Sequence, residues 1–253
     1  MNNHKFSKIE QVKDFVKIAE LLSSLDQDSL VLFDVDEVLI MDEVEYRLTH
    51  PYRVEWRLES KKRLTRSQRN LLFSIIIQKR AVRLVDPYVA DILNSLGKMQ
   101  IPTMGLTKLY TGNFGVIEDL TEWRLNELKA ININFMSSSP LKDEMLIEGM
   151  GTDDGIPTMK GGVILTANVD KGKVLDNILH AKNYYPKKII FVDDILENLE
   201  AVGKICADLQ ISFHGFEYQG ASLIPEVELD RQSEKIRFEV LESEHRWLTD
   251  LKL

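Results

Sequence analysis

The sequence predicts an α/β protein built on a parallel sheet with helices on both faces. Apolar-rich runs at 29–35, 101–106, 133–137, 189–192 and 211–216 have strand length, and amphipathic helical patterns fall between them. Two of the runs end in paired acids: Asp34 and Asp36 after the first, Asp193 and Asp194 after the fourth. The carboxyl ends of strands are where open α/β sheets carry their ligand sites.

At 253 residues and 44% apolar content, the chain is long enough for one such core plus a modest insertion. No stretch approaches the roughly 18 uninterrupted apolar residues of a membrane span. The opening residues run into charged amphipathic sequence instead of a signal-peptide core, so the expectation is a cytoplasmic protein with no membrane partner. Cys206 is the only cysteine and falls on an apolar helical stripe, which excludes an internal disulfide and predicts a buried structural thiol. The net charge of −8 is unevenly spread. Residues 51–84 carry ten Lys or Arg against two acids, a local net of +8 that leaves the remainder at −16. Such a run serves as a solvated helical face, or as a basic lobe that attracts a polyanionic substrate to an acidic metal site.

Taken in order, Ser7 and Glu10 form a capping box, and Ile9, Val12, Phe15, Val16, Ala19 and Leu22 recur at helical spacing, predicting a helix over 8–24. The strand at 29–35 follows. Residues 41–84 are polar and arginine-rich and predict two or three inserted helices, with Thr65 and Gln68 as a second capping box. Asp86-Pro87 opens a helix bearing Val89, Ile92, Leu93 and Leu96 that stops at Gly97. Then come a strand at 101–106, a helix near 116–130, a third strand near 133–137, and a glycine-rich hairpin or loop over 140–162 leading into a short strand at 163–167. Lys171-Gly172 opens the next helix, and strand four is 189–192. A helix striped by Ile195, Leu199, Val202, Cys206 and Leu209 follows, then a fifth strand at 211–216. A final helix at 231–250 carries Ile236, Val240, Trp247 and Leu251 on one side. The predicted division is a core of residues 1–40 and 85–253 with 41–84 as an insertion.

Asp34 can point at a bound phosphate while the following turn brings Asp36 back over it. Two carboxylates this close repel unless a cation separates their roles, and magnesium suits oxygen ligands of this kind. Asp193 or Asp194 supplies a second ligand if its strand lies beside the first. Four stations stand in order: Phe33-Asp34-Val35-Asp36-Glu37-Val38, Met104-Gly105-Leu106-Thr107, Lys171-Gly172, and Phe191-Val192-Asp193-Asp194. A threonine hydroxyl and a lysine ammonium both suit a phosphoryl group, one as a neutral donor and the other as a point charge.

In these stations the chain resembles the haloacid dehalogenase-like superfamily of phosphohydrolases over nearly its whole length, with a finer likeness to an uncharacterised group of bacterial members. The resemblance implies a Rossmann-like sheet of order 5-4-1-2-3, which puts strands one and four side by side, with a small helical cap at 41–84. It implies that Asp34 attacks phosphorus to form an aspartyl phosphate and that Asp36 is the general acid and base. It further implies that Thr107 and Lys171 hold the phosphoryl oxygens, and that Asp34, Asp193 and the main-chain carbonyl of Asp36 hold Mg2+. Val38 stands where many relatives have threonine, and Lys173 is an alternative to Lys171.

His50, Tyr46, Arg47 and Arg53 lie where the insertion begins and read chiefly as packing or surface residues. Residues 151–155 resemble a calcium loop but lack its alternating acids, so they predict a tight turn. The three tryptophans form no stacking platform for bases. The expected function is a magnesium-dependent phosphatase acting on a phosphorylated small molecule. The alternative is a catalytically weak binding or regulatory module that docks an anionic macromolecule, and a nucleic-acid end or phosphoprotein would be reached through the basic segment.

Overall fold

The computed structural model describes residues 7–43 and 46–249. Its centre is β2 (Ser29–Phe33), buried along its whole length. Leu30 and Leu32 face one apolar cluster and Val31 and Phe33 the other, as the period of two requires. Strand β9 (Lys188–Asp193) repeats this division with Ile189 and Phe191 against Ile190 and Val192. A strand covered on both faces by helices must be apolar on both, which is why these runs lack polar alternation.

The other strands are β1 (Ser7–Val12), β5 (Thr103–Thr107), β6 (Met145–Leu146), β7 (Thr158–Lys160), β8 (Val163–Leu165) and β10 (Ser212–Tyr218). They join β2 and β9 in one sheet of order β1-β10-β9-β2-β5-β8-β7-β6. All neighbours from β1 to β8 run parallel, and β8-β7-β6 is antiparallel. The architecture is α/β, a mostly parallel Rossmann-like sheet between helical layers. Helices α1 (Val16–Leu22) and α4 (Tyr88–Lys98) supply one face, while α6 (Lys171–Ala181) and α7 (Leu196–Asp208) supply the other. Cys206 is buried on α7 as expected.

Two predicted elements are corrected. The helix expected over 8–24 is a parallel edge strand, β1, followed by the short α1. Ile9 and Val12 share a helix face on paper, but as strand residues three apart they enter opposite cores, and β1 satisfies the open edge of β10. The strand expected at 133–137 is absent. Ile133 and Phe135 are buried, yet the backbone turns back so that Ser139 N–H donates to the Phe135 carbonyl at 2.7 Å. Its place beside β5 is taken by β8, which a tight hairpin through Gly161-Gly162 connects to β7. Counted through β10, β9, β2, β5 and β8, the order is the expected 5-4-1-2-3, extended at both edges.

Between β2 and α4 lie α2 (Pro51–Arg63) and α3 (Arg66–Lys79). The chain reaches and leaves them through a two-stranded antiparallel ribbon, β3 (Ile40–Asp42) with β4 (Val82–Leu84), which the sequence reading missed. The Thr65–Gln68 capping box forms as predicted. Helix α2 packs on α8 (Arg231–Glu244): Trp56 stacks on Phe238 at 4.2 Å, and Arg53, fully buried, donates to Glu234 at 2.8 Å. Helix α8 ends earlier than predicted, at left-handed His245, so that Trp247 folds back onto Phe238; Leu251 lies outside the described residues.

Candidate metal centre

Parallel pairing sets the strand ends level. Phe33 of β2 aligns with Val192 of β9 and with Gly105 of β5, so Asp34 emerges beside Asp193 on one side and one residue short of Thr107 on the other. The Asp34 N–H donates to the Val192 carbonyl at 2.8 Å, fixing that alignment at the point where the strands end. Carboxylate oxygens of Asp34, Asp193 and Asp194 come within 4.8 Å of one another, close enough to share one ion.

Lys171 reaches this cluster from the first turn of α6. Its side chain is fully buried, with Nζ 2.9 Å from Asp34 Oδ1 and 2.7 Å from Asp193 Oδ2. Asp170 caps the helix by accepting from the Lys173 N–H at 2.9 Å. A Cβ on Gly172 would lie 2.4 Å from the Ala201 carbonyl oxygen, so only glycine lets α6 approach α7 this closely. The Lys-Gly pair is thus one lysine aimed inward and one residue that permits the approach, while Lys173 is exposed. Asp193 Oδ1 accepts from the Ile195 N–H and from Asn198 Nδ2, both at 2.9 Å, leaving this carboxylate no freedom to turn.

Asp34 Oδ1 also accepts from the Val35 N–H at 2.8 Å, whereas Oδ2 accepts no hydrogen bond among the described residues. Burial, with Asp193 adding repulsion, pushes the Asp34 carboxyl up to about 6 against the pull of Lys171. Burial and the two neighbouring acids push Asp194 up to about 7. Lys171 loses solvation too, yet the two aspartates outweigh that and hold it charged above the ordinary lysine value. Three carboxylates facing one ammonium are short of positive charge, and an all-oxygen donor set fits a hard divalent cation such as magnesium.

Asp36 goes elsewhere. Glu37 takes a left-handed φ of 61° and its N–H donates to the Ile40 carbonyl at 2.7 Å, so the chain turns back immediately after the strand. The Asp36 carboxylate, 40% exposed, accepts from Arg124 Nη2 at 3.0 and 2.8 Å and from Arg80 Nη2 at 3.2 Å. Arg124 stands on α5 (Leu120–Ala130) between buried Leu120 and Leu128. Glu127 ties the two arginines together, at 2.6 Å from Arg80 Nε and 2.8 Å from Arg124 Nη1, and Trp123 lies under both guanidinium groups. Burial raises the Asp36 carboxyl, but Arg124 and Arg80 outweigh it and hold it below the ordinary range.

Asp34, Asp193 and Lys171 are therefore brought together, with Thr107 at the end of the adjoining strand. The Asp36 side chain is not in the cluster, and Asp194 is. Arg80, Arg124 and Asn198 were not singled out from the sequence, although an arginine on the buried four-residue spacing of α5 was a readable sign. Of the residues where the insertion begins, His50 accepts from the Tyr52 N–H and caps α2, and Arg53 is tied to Glu234. Arg47 lines a cavity of about 560 Å³ that opens on Glu37 and Asp194. The 151–155 stretch is a tight turn closed by Thr152 and Gly155.

The model of one protein family matches residues 7–252, and that family carries the description "Protein of unknown function (DUF2608)". The chain belongs to this family. A similar protein from Rickettsia prowazekii, named only as uncharacterized, is 25% identical over 240 residues, covering 94% of this chain and 86% of that protein. A Chlamydia pneumoniae protein named a putative outer membrane protein is 26% identical over 124 residues, 49% of this DUF2608 chain and 44% of that protein. Among solved structures, a haloacid dehalogenase-like hydrolase of Streptococcus pneumoniae overlays with a TM-score of 0.36 at 10% identity, covering 74% of this chain and 92% of that one. No helix among the described residues of this DUF2608 chain is long and apolar enough to cross a membrane.

Proposed function

We propose that the protein is a magnesium-dependent phosphomonoester hydrolase working through an aspartyl phosphate. The supporting observation is the convergence of Asp34, Asp193 and Asp194 from two adjacent strand ends onto one volume, with Lys171 against them. Asp34, Asp193 and Asp194 would hold the cation, along with the Asp36 carbonyl; when bound, it supplies charge neutralisation for the phosphoryl oxygens. Asp34 Oδ2, without a hydrogen bond among the described residues, attacks phosphorus, and the ester P–O bond breaks. Lys171 and Thr107 hold the phosphoryl oxygens in line, which is most of what this chemistry demands. The departing alkoxide takes its proton from solvent water. In the second half-reaction a water attacks phosphorus and gives its proton to Asp36, the bond between Asp34 and phosphorus breaks to release phosphate, and Asp36 returns the proton to solvent. The arginines keep Asp36 in the ionised form that accepts a proton, which fits this second step better than donation to the leaving group.

Residues 41–84 act in this reading as a small cap over the strand ends, and the substrate is a phosphorylated small molecule. A magnesium-supported panel of phosphomonoesters tests the proposal: phosphate release should fall by at least about 10³-fold in Asp34→Asn. No release from the panel, or full turnover in Asp34→Asn, rejects it. A second reading, a binding module with negligible turnover, draws on the same arginine clamp, because an acid locked by two guanidinium groups is a poor proton shuttle. Salt-sensitive association with an anionic macromolecule, without phosphate release, would favour that reading.

A further inference from the structure

The basic segment does more than cover a face. Arg57 and Lys61 of α2 and Arg69 of α3 line a cavity of about 490 Å³ with Lys108, the residue directly after Thr107. Among the described residues, Arg57, Lys61 and Lys108 make no ion pair, and Arg69 donates only to the Leu64 carbonyl, at 2.7 Å. The one acid on the wall, Asp154, is already paired with Arg66. By contrast, Arg53, Arg63 and Arg80 on the same helix pair or just after it each meet a carboxylate. In a chain of net charge −8, four cations without an acidic partner around one concavity hold an uncompensated positive potential. Apart from Asn70, the remaining wall is apolar and aromatic, with Phe73 and Phe114. The volume lies in the range of small-molecule sites.

We infer that this cavity binds the distal part of the substrate, and that the substrate is an organic phosphomonoester bearing a second anionic group on an apolar or aromatic body. The inference rests on the proposed phosphatase reading only for which end of the molecule reaches Asp34. Lys108 links the two places: Thr107 ends β5 on the strand beside Asp34, and the next residue lines the cavity. The phosphoryl group would then sit at Asp34 while the second anion meets Arg57, Lys61, Arg69 and Lys108, and the body between them lies on the aromatic wall.

The test compares phenyl phosphate with 4-carboxyphenyl phosphate, which differ by one carboxylate. Binding to the intact protein is measured by titration calorimetry, and phosphate release is followed separately. The carboxylated compound should bind at least about tenfold more tightly. That preference should fall below about twofold in Arg57→Gln/Lys108→Gln and persist in Lys204→Gln, an exposed lysine remote from the cavity. Equal affinities, or a preference that survives the double substitution, overturn the inference. If the preference appears but no phosphate is released, the cavity stands and the proposed reaction falls. Release without the preference has the opposite meaning.

Discussion

Asp34 and Asp36 leave the same strand end, yet they are held by opposite arrangements of charge. Around Asp34, three carboxylates share a single buried ammonium and the group's pKa rises. Around Asp36, two guanidinium groups grip one half-exposed carboxylate and its pKa falls. A shortage of positive charge suits a cation site, whereas two guanidinium groups shared by Asp36, Glu127 and Asp42 come closer to balance and hold Asp36 ionised. The contrast separates a cluster with three carboxylates to one ammonium from a network with three carboxylates to two guanidinium groups, and each centre can be broken on its own.

The largest effect is expected at Lys171. Lys171→Met leaves Asp34 and Asp193 buried without their counter-charge, and removing one partner of a buried pair costs about 3–5 kcal/mol. Arg124→Met should cost less, about 1–2 kcal/mol, because Asp36 is partly solvated and keeps Arg80. Urea unfolding of the two variants side by side checks the ranking. A larger loss for Arg124→Met would mean that the arginine network, not the acid cluster, organises the strand ends.

Next in size is Asn198, which touches no candidate ligand site except through Asp193. Loss of such an orienting hydrogen bond lowers metal affinity by about 10–100-fold. Asn198→Ala should therefore weaken magnesium binding by that factor, read as the concentration of magnesium needed to raise Tm. Arg124→Gln should leave that concentration within about twofold. Its effect belongs in the pH profile instead: with one arginine gone, Asp36 takes up a proton at higher pH, so the acidic limb of kcat moves upward where hydrolysis of the aspartyl phosphate limits turnover. The same change should narrow the gap between good and poor leaving groups, since a protonated Asp36 can donate to the departing oxygen. An unmoved limb would remove Asp36 from the proton path.

These two centres also differ in how far the sequence reveals them. Asp34 and Asp193 were readable because burial on both faces forces continuous apolar runs, and a polar residue at the end of such a run stands out. Lys171 stood out for the same local reason, at a helix start beside a glycine. The partners of Asp36 come from α3's end and α5, 44 and 88 residues away in the chain, and no local pattern ties them to it. Strand β1 was misread because Ile9, Val12, Phe15 and Val16 satisfy a helical period, and the decisive factor is the open edge of β10 about 200 residues later. Ile133 and Phe135 carry a strand's alternation but are drawn into the core from turns, a choice settled by β8 arriving to fill the position beside β5. What the chain encodes locally was legible; what distant elements decide was not.

The smallest effect is a pH dependence of stability in chelator. A carboxyl whose pKa is raised in the folded state holds its proton to higher pH there than in the unfolded chain, so its contribution is lost as pH rises through the folded value. Asp194 at about 7 and Asp34 at about 6 belong to the candidate metal centre, and Asp42, pushed by burial to about 6 against the pull of Arg80, belongs to the arginine network. Stability should therefore increase as pH falls from about 8 to 6.5, by about 1–3 °C in Tm. His214 limits the window from below, since burial lowers its pKa and its protonation opposes folding at more acidic pH. Magnesium should reverse the trend, because a bound cation favours the ionised carboxylates and its own hold weakens as they protonate. Asp194→Asn in chelator should flatten most of the slope and Asp42→Asn a smaller part. If Asp42→Asn flattens it more, the electrostatic strain of the free protein lies in the arginine network, and the shortage of positive charge around Asp34 is not what drives it to take up a cation.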